Sequence, residues 1–185
     1  MAESGRPNAL AVYTVVLLSD GARYLLLERA ATKRFAPGRW TGLGGRVEPD
    51  ELGDLRAAAR REVLEESGLA PEAVPDLTLR RALLQARPGA PLTVLLYFTG
   101  TLRAPPPPAG PEGRLVWVAP AEFDRLDIIE NTRAVLPLLV ADQARDPAGA
   151  EPVWLGVACY RPDGALERIV WGCEQTGLTP RRGRG

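Results

Sequence analysis

"GGRVEPDELGDLRAAARREVLEESGL" (residues 44–69) governs how the rest of the chain is read. Its second half is built from alanine, arginine, leucine and glutamate, all strong helix formers. Asp54 stands where an N-cap belongs and Gly68 where a C-terminal stop belongs, so a helix is expected between them. Within it Glu62, Glu65 and Glu66 are spaced i, i+3 and i+4 and lie side by side. Each like-charged pair costs an isolated helix about 0.2–0.5 kcal/mol. Three carboxylates gathered on one arc therefore call for a positive partner.

Composition limits what that partner serves. The 185 residues are 45% hydrophobic, enough for one domain with a core of its own. Formal net charge is zero, which favours neither a nucleic acid nor a membrane surface as partner. There is no histidine, so Ser-His-Asp triads, Cys-His pairs, histidine zinc sites and histidine acid–base catalysis are excluded. Lys33 is the single lysine, and no GK[ST] phosphate loop exists. Polar chemistry must rest on carboxylates, arginines, hydroxyls, backbone groups or a metal.

Cys159 and Cys173 flank a turn at Pro162-Asp163-Gly164. A two-residue turn at 163–164 places Cys159 opposite Arg168, not Cys173, so two free thiols in a reducing cytoplasm are expected. The start, "MAESGRPNAL", lacks signal-peptide shape, and no apolar run approaches the ~20 residues of a membrane span. The end, "PRRGRG", reads as a short disordered basic tail.

Along the chain, "ALAVYTVVLLSDGARYLLLERA" reads as a β-hairpin turning at Asp20-Gly21. A long Gly- and Pro-rich loop follows, in which Phe35 and Trp40 argue for order. After the acidic helix come two strands around "PGAP", a proline-rich loop and a short strand, "RLVWVAP", with Leu115 and Trp117 on one side. A helical turn in "PAEFDRL" and a second long helix, "NTRAVLPLLVADQA", complete a unit over 1–146; Pro137 is a potential kink. Residues 147–185 hold a further hairpin, with Val153, Leu155, Val157 and Cys159 on one face, and the basic tail. About 20 residues bury no core alone, so the hairpin is expected to pack on the same domain. Antiparallel strands mixed with two helices favour an α+β sandwich.

The three carboxylates suit a hard divalent cation, which takes oxygen ligands together with water and substrate phosphates. Arg61, four residues before Glu65, can orient that carboxylate. "GLGG" at 42–45 lets backbone approach a ligand closely and could add a carbonyl.

Residues 44 to 69 resemble the Nudix box, G-x5-E-x7-R-E-U-x-E-E-x-G-U, where U is bulky and apolar. Gly45, Glu51, Arg61, Glu62, Val63, Glu65, Glu66, Gly68 and Leu69 match its fixed positions. Nine residues, rather than seven, separate Glu51 from Arg61, and the extra pair falls around Leu52 to Leu55. The order of elements over 9–143 also resembles that family; 150–185 does not.

The resemblance implies an α/β/α sandwich with a mixed sheet, carrying the C-terminal hairpin as an extension. It implies Mg²⁺ or Mn²⁺ on Glu62, Glu65 and Glu66, with the Gly44 carbonyl and Glu112 as further ligands and Glu62 as general base. It implies hydrolysis of a diphosphate linkage in a small nucleotide. "GRWTGLGGRVE" is similar to hydrolases of oxidised purine nucleoside triphosphates, which suggests 8-oxo-dGTP, cut to a monophosphate and pyrophosphate. Trp40, Thr41 and Trp117 are expected at the base, and Arg39 and Arg46 at the phosphates. Two alternatives stay open: hydrolysis of ADP-ribose or a nucleotide sugar, and a nucleotide sensor without catalysis. Exposed strand edges invite pairing, so a homodimer through the terminal hairpin is a further expectation.

Overall fold

The computed structural model describes residues 10–87 and 89–172 of the chain. Cys173, the basic tail and most of "MAESGRPNAL" lie outside them. Strand β1 (Leu10–Ser19) sets the layers, because side chains alternate across a strand. Val16 and Leu18 face one way, Val15 and Leu17 the other, and all four are buried. A strand buried on both faces needs two covers. Helix α1 (Leu55–Ser67) supplies one through Ala58, Ala59 and Val63. Helix α2 (Glu130–Arg145) supplies the other through Val135, Leu136 and Leu139, and runs through Pro137 as a single element. Each fully buried Leu or Val contributes about 1.5–3 kcal/mol. The result is a mixed eight-stranded sheet with helices on both faces, an α+β fold.

The other strands are β2 (Tyr24–Arg29), β3 (Trp40–Thr41), β4 (Thr78–Gln85), β5 (Leu92–Thr101), β6 (Gly113–Val118), β7 (Trp154–Tyr160) and β8 (Leu166–Trp171). Their order is β3-β2-β1-β5-β4-β7-β8, with β6 also on β2. β1 and β5 run parallel along their whole length, from Leu10 opposite Leu92 to Ser19 opposite Thr101.

The first hairpin forms, but only Leu18 opposite Leu25 and Ser19 opposite Tyr24 pair in it. Beyond them β2 leaves β1 for β3 and β6. Residues 42–47 take its place: Thr14 N–H donates to the Gly45 carbonyl at 2.8 Å, Leu43 N–H to Val16 at 3.0 Å and Val47 N–H to Val12 at 2.9 Å. The parting of the hairpin thus makes room for the glycine loop inside the sheet.

The terminal hairpin extends the sheet. β7 lies parallel to β4, from Arg81 opposite Trp154 to Gln85 opposite Ala158. β8 returns antiparallel through a turn of three residues, not two, so that Tyr160 faces Leu166, and a register shift between Tyr160 and Cys159 brings Cys159 opposite Arg168. Leu155 and Val157 share a face, and it is the exposed one; Gly156 and Ala158 face inward. A buried charge anchors the hairpin. Arg81 donates two bonds to Asp142 on α2, at 2.6 and 2.8 Å, while its guanidinium lies 4.6 Å from the Trp171 ring centre and 5.3 Å from that of Trp154. Burying an ion is costly unless it is paired and hydrogen-bonded, and both conditions are met here. Among the described residues no helix is long and apolar enough to cross a membrane.

Candidate active site

The glycine loop passes between β1 and the acidic face of α1, and that passage dictates its composition. Gly44 has φ of +130°, and a Cβ there would lie 2.3 Å from the Thr14 carbonyl oxygen. A Cβ on Gly45 would lie 2.4 Å from Glu62 Oε2. No side chain fits at Gly44, and one at Gly45 would displace the Glu62 carboxylate. Gly44 N–H donates to Glu66 Oε2 at 2.6 Å. Its carbonyl has no hydrogen-bond partner among the described residues, which leaves an oxygen beside the carboxylates.

Arg61 is the hub of the acidic face. It bonds Glu51 with two nitrogens, reaches Glu62 Oε1 at 2.8 Å and Glu65 Oε2 at 3.1 Å through Nη1, and donates to the Arg46 carbonyl at 3.0 Å. The longer spacing after Glu51 is absorbed by a short coil. Pro49–Glu51 forms a 3-10 turn, Asp54 N–H returns to the Glu51 carbonyl at 2.9 Å, and Asp54 caps α1 by accepting from Ala57 N–H at 3.0 Å. Such a cap is worth about 1 kcal/mol.

The electrostatics separate Glu51, Glu62 and Glu66. Arg61, helped by the Glu48 N–H, holds Glu51 down at about 2. Burial pushes Glu62 up, against the pull of Arg61. Burial raises Glu66 furthest, to about 7; the Gly44 N–H opposes the rise, and the charges of Glu112 and Glu62 add to it. Desolvating a carboxyl favours its neutral form.

In donor chemistry this set fits a hard divalent cation: carboxylate oxygens, a free carbonyl, and a partly buried Glu66 on which Arg29 acts through its charge without forming an ion pair among the described residues. The side chains are nevertheless held apart. Among the described residues no three acidic groups converge on one point, because Arg61 draws Glu62 and Glu65 to itself while Glu66 turns to Gly44. Seating an ion on all three requires Glu62 and Glu65 to swing off Nη1.

A cavity of about 590 Å³ opens beside them. Glu62, Glu65, Glu66, Gly44 and Glu112 line it, the last ion-paired with Lys33. Thr41 also lines it and is buried. Four residues expected to bind the substrate are not on its walls. Trp40 packs against the α2-side core, and Arg39 bonds Asp127 at 3.1 Å and the Ile128 carbonyl at 3.0 Å. Arg46 lends the site only its carbonyl. Trp117 packs on the α1-side core, with the Arg23 guanidinium 5.7 Å from its ring centre.

In their stead the walls carry Arg29, Phe35, Gln85, Arg87, Asn131 and Thr132. The sequence reading placed none of the six at the site, although it noted Phe35 as an ordering aromatic in the loop. The one usable signal was a lone polar residue, Gln85, closing the apolar run "RALLQ".

The family model described as NUDIX domain matches residues 7–139. The chain is 46% identical over 59 residues to the oxidized purine nucleoside triphosphate hydrolase of Mus musculus, a stretch covering 31% of this chain and 35% of that protein. In structure it is similar to the MutT protein of Bacillus halodurans, with a TM-score of 0.66 at 21% identity, covering 89% of this chain and 99% of the other. The MutT protein of Methanosarcina mazei Go1 gives 0.62 at 20% identity, covering 75% of this chain and 99% of its own. This chain belongs to the Nudix hydrolase superfamily. The family match ends before β7 and β8 begin.

Proposed function

We propose that the chain hydrolyses a purine nucleoside triphosphate, 8-oxo-dGTP being the leading example, to a monophosphate and pyrophosphate. One observation carries this reading: a single cavity of about 590 Å³ joins the Glu62, Glu65 and Glu66 carboxylates to a wall of neutral hydrogen-bonding groups, Thr41, Gln85, Asn131 and Thr132. Its volume suits one nucleotide-sized ligand. The partial identity to a hydrolase of oxidised purine triphosphates supports the substrate class.

Glu62, Glu65 and Glu66, with the Gly44 carbonyl, would hold Mg²⁺ or Mn²⁺. When bound, such an ion neutralises phosphate oxygens and lowers the pKa of a coordinated water. The chain's own residues do the rest. Glu62 takes the proton from the attacking water, a carboxylate being the available base in a chain without histidine. Arg61 holds Glu62 and Glu65 in the ion-free site and would release them to the cation. Arg29, on the cavity wall and near enough to Glu66 for its charge to act there, is placed to meet phosphate oxygens.

The test is a screen of 8-oxo-dGTP, ordinary triphosphates and ADP-ribose with each metal, reading products. Pyrophosphate plus a monophosphate supports the proposal. Two monophosphates from ADP-ribose, with triphosphates untouched, would replace it by the nucleotide-sugar reading. Nucleotide binding without turnover in either metal would make the chain a sensor. Pairing of two copies through exposed Leu155, Val157 and Val170 is a separate proposal, tested by sedimentation of the chain with those three changed to threonine.

A further inference from the structure

Gln85 closes β4 and lines the cavity; Tyr160 closes β7, beyond the family match. Three hydrogen bonds run in a chain from α2 through Gln85 to Tyr160. Thr132 N–H donates to Asn131 Oδ1 at 3.0 Å, Asn131 Nδ2 donates to Gln85 Oε1 at 3.3 Å, and Tyr160 O–H donates to the same Gln85 oxygen at 2.5 Å.

The direction of this chain follows from its first link. A backbone N–H can only donate, so the Asn131 atom facing it is the oxygen. Asn131 must then turn its NH₂ to Gln85, which must answer with its carbonyl oxygen. With that oxygen already accepting, Tyr160 is left as a donor. Both N–H groups of Gln85 therefore have no protein partner among the described residues, and Nε2 is not among the buried unpaired atoms. They are available to whatever fills the cavity. The Arg87 guanidinium lies 4.9 Å from the Tyr160 ring centre and keeps the ring in place.

We infer that Tyr160 is a positioning residue that locks Gln85 with its two N–H donors toward the ligand, so that the cavity selects a purine bearing a carbonyl over the same purine bearing an amino group. A carbonyl accepts from the Gln85 N–H groups, whereas an amino group meets them donor to donor. The inference rests on the nucleotide reading of the cavity. It adds that a strand outside the family match sets base preference.

The probes are inosine triphosphate and adenosine triphosphate, which carry a carbonyl and an amino group at the same ring position. Binding is measured by calorimetry, turnover by product release, and the Gln85 side-chain amide by ¹⁵N-resolved NMR on the full chain. The wild type is expected to prefer inosine triphosphate. Tyr160→Phe should raise KM for inosine triphosphate about threefold to tenfold, the worth of one ordinary hydrogen bond, with a smaller change in kcat. It should also shift the Gln85 amide signals while the remaining spectrum holds. Gln85→Glu, which presents acceptors only, should reverse the preference. Equal effects on both nucleotides, or unmoved Gln85 signals in Tyr160→Phe, would overturn the inference. Selective binding without turnover would sink the hydrolase reading and leave this one standing. Turnover without base preference would do the opposite, and binding of neither nucleotide would remove both.

Discussion

Glu51 and Arg61 are joined by two parallel hydrogen bonds, Nε to Oε1 at 2.6 Å and Nη2 to Oε2 at 2.8 Å. The pair spans the lengthened segment before α1, and the same guanidinium holds Glu62 and Glu65. Glu51→Ala should free Arg61 and lower stability by about 1 kcal/mol, a modest figure because Arg61 is partly exposed and solvent screens the pair. Turnover should fall further than stability does. An unchanged urea midpoint together with unchanged kcat would show that the pair is ornamental.

Glu62→Gln keeps the size of the side chain and removes its basicity. Turnover should drop about 10²-fold or more while nucleotide still binds, as expected on losing a general base. Near-normal kcat would move the role of base to another carboxyl.

Glu66 predicts a pH dependence with a definite sign. Its carboxyl titrates at about 7 in the fold, against 4.5 ordinarily, so the folded chain holds a proton that the unfolded chain releases. Its contribution to stability is full below about 4.5 and is lost as pH rises through 7. Chelator-treated protein should therefore lose stability between pH 5 and 8, and Glu66→Gln should flatten that slope. A wild-type slope identical to the variant's would refute the assignment. Added Mg²⁺ should restore stability at the alkaline end, since a bound cation replaces the proton.

Arg81 and Asp142 are both buried, so losing one partner strands the other. Asp142→Asn should cost about 3–5 kcal/mol, the usual toll of breaking a buried ion pair. Arg81→Met with Asp142→Leu should cost less than Asp142→Asn alone, because no charge is then stranded. Additive losses in the double-mutant cycle would mean the two residues act independently.

Trp117 packs on the α1-side core and is not on the cavity wall. Trp117→Leu should lower the melting temperature through lost packing, yet leave KM for a nucleotide within about twofold. A large rise in KM at unchanged stability would return Trp117 to the base.

The acidic face of α1, its cap at Asp54 and its stop at Gly68 were legible because they depend on local spacing alone. A two-residue turn predicts the pairing of Cys159 with Arg168, whereas the chain makes a longer turn and regains that pairing through a register shift. What escaped was decided by distant partners. Whether Trp117 faces a cavity or a core depends on the pairing of β6 with β2. That Glu62 and Glu65 turn to Arg61, rather than toward Glu66, is a contest between side chains that spacing cannot judge. Gln85 acquires its meaning only from Asn131 and Tyr160, which come from remote elements.

The parallel docking of β7 on β4 has a consequence for synthesis. β4 is made well before β7, and until β7 arrives its outer side is an open edge. Open edges recruit strands from other chains unless charge or coverage prevents it. Arg80 and Arg81, adjacent on that strand, are charged throughout the interval, since Asp142, Asp146 and the tryptophans that enclose them are made later. The same two arginines that end as buried anchors thus leave that edge charged until β7 covers it.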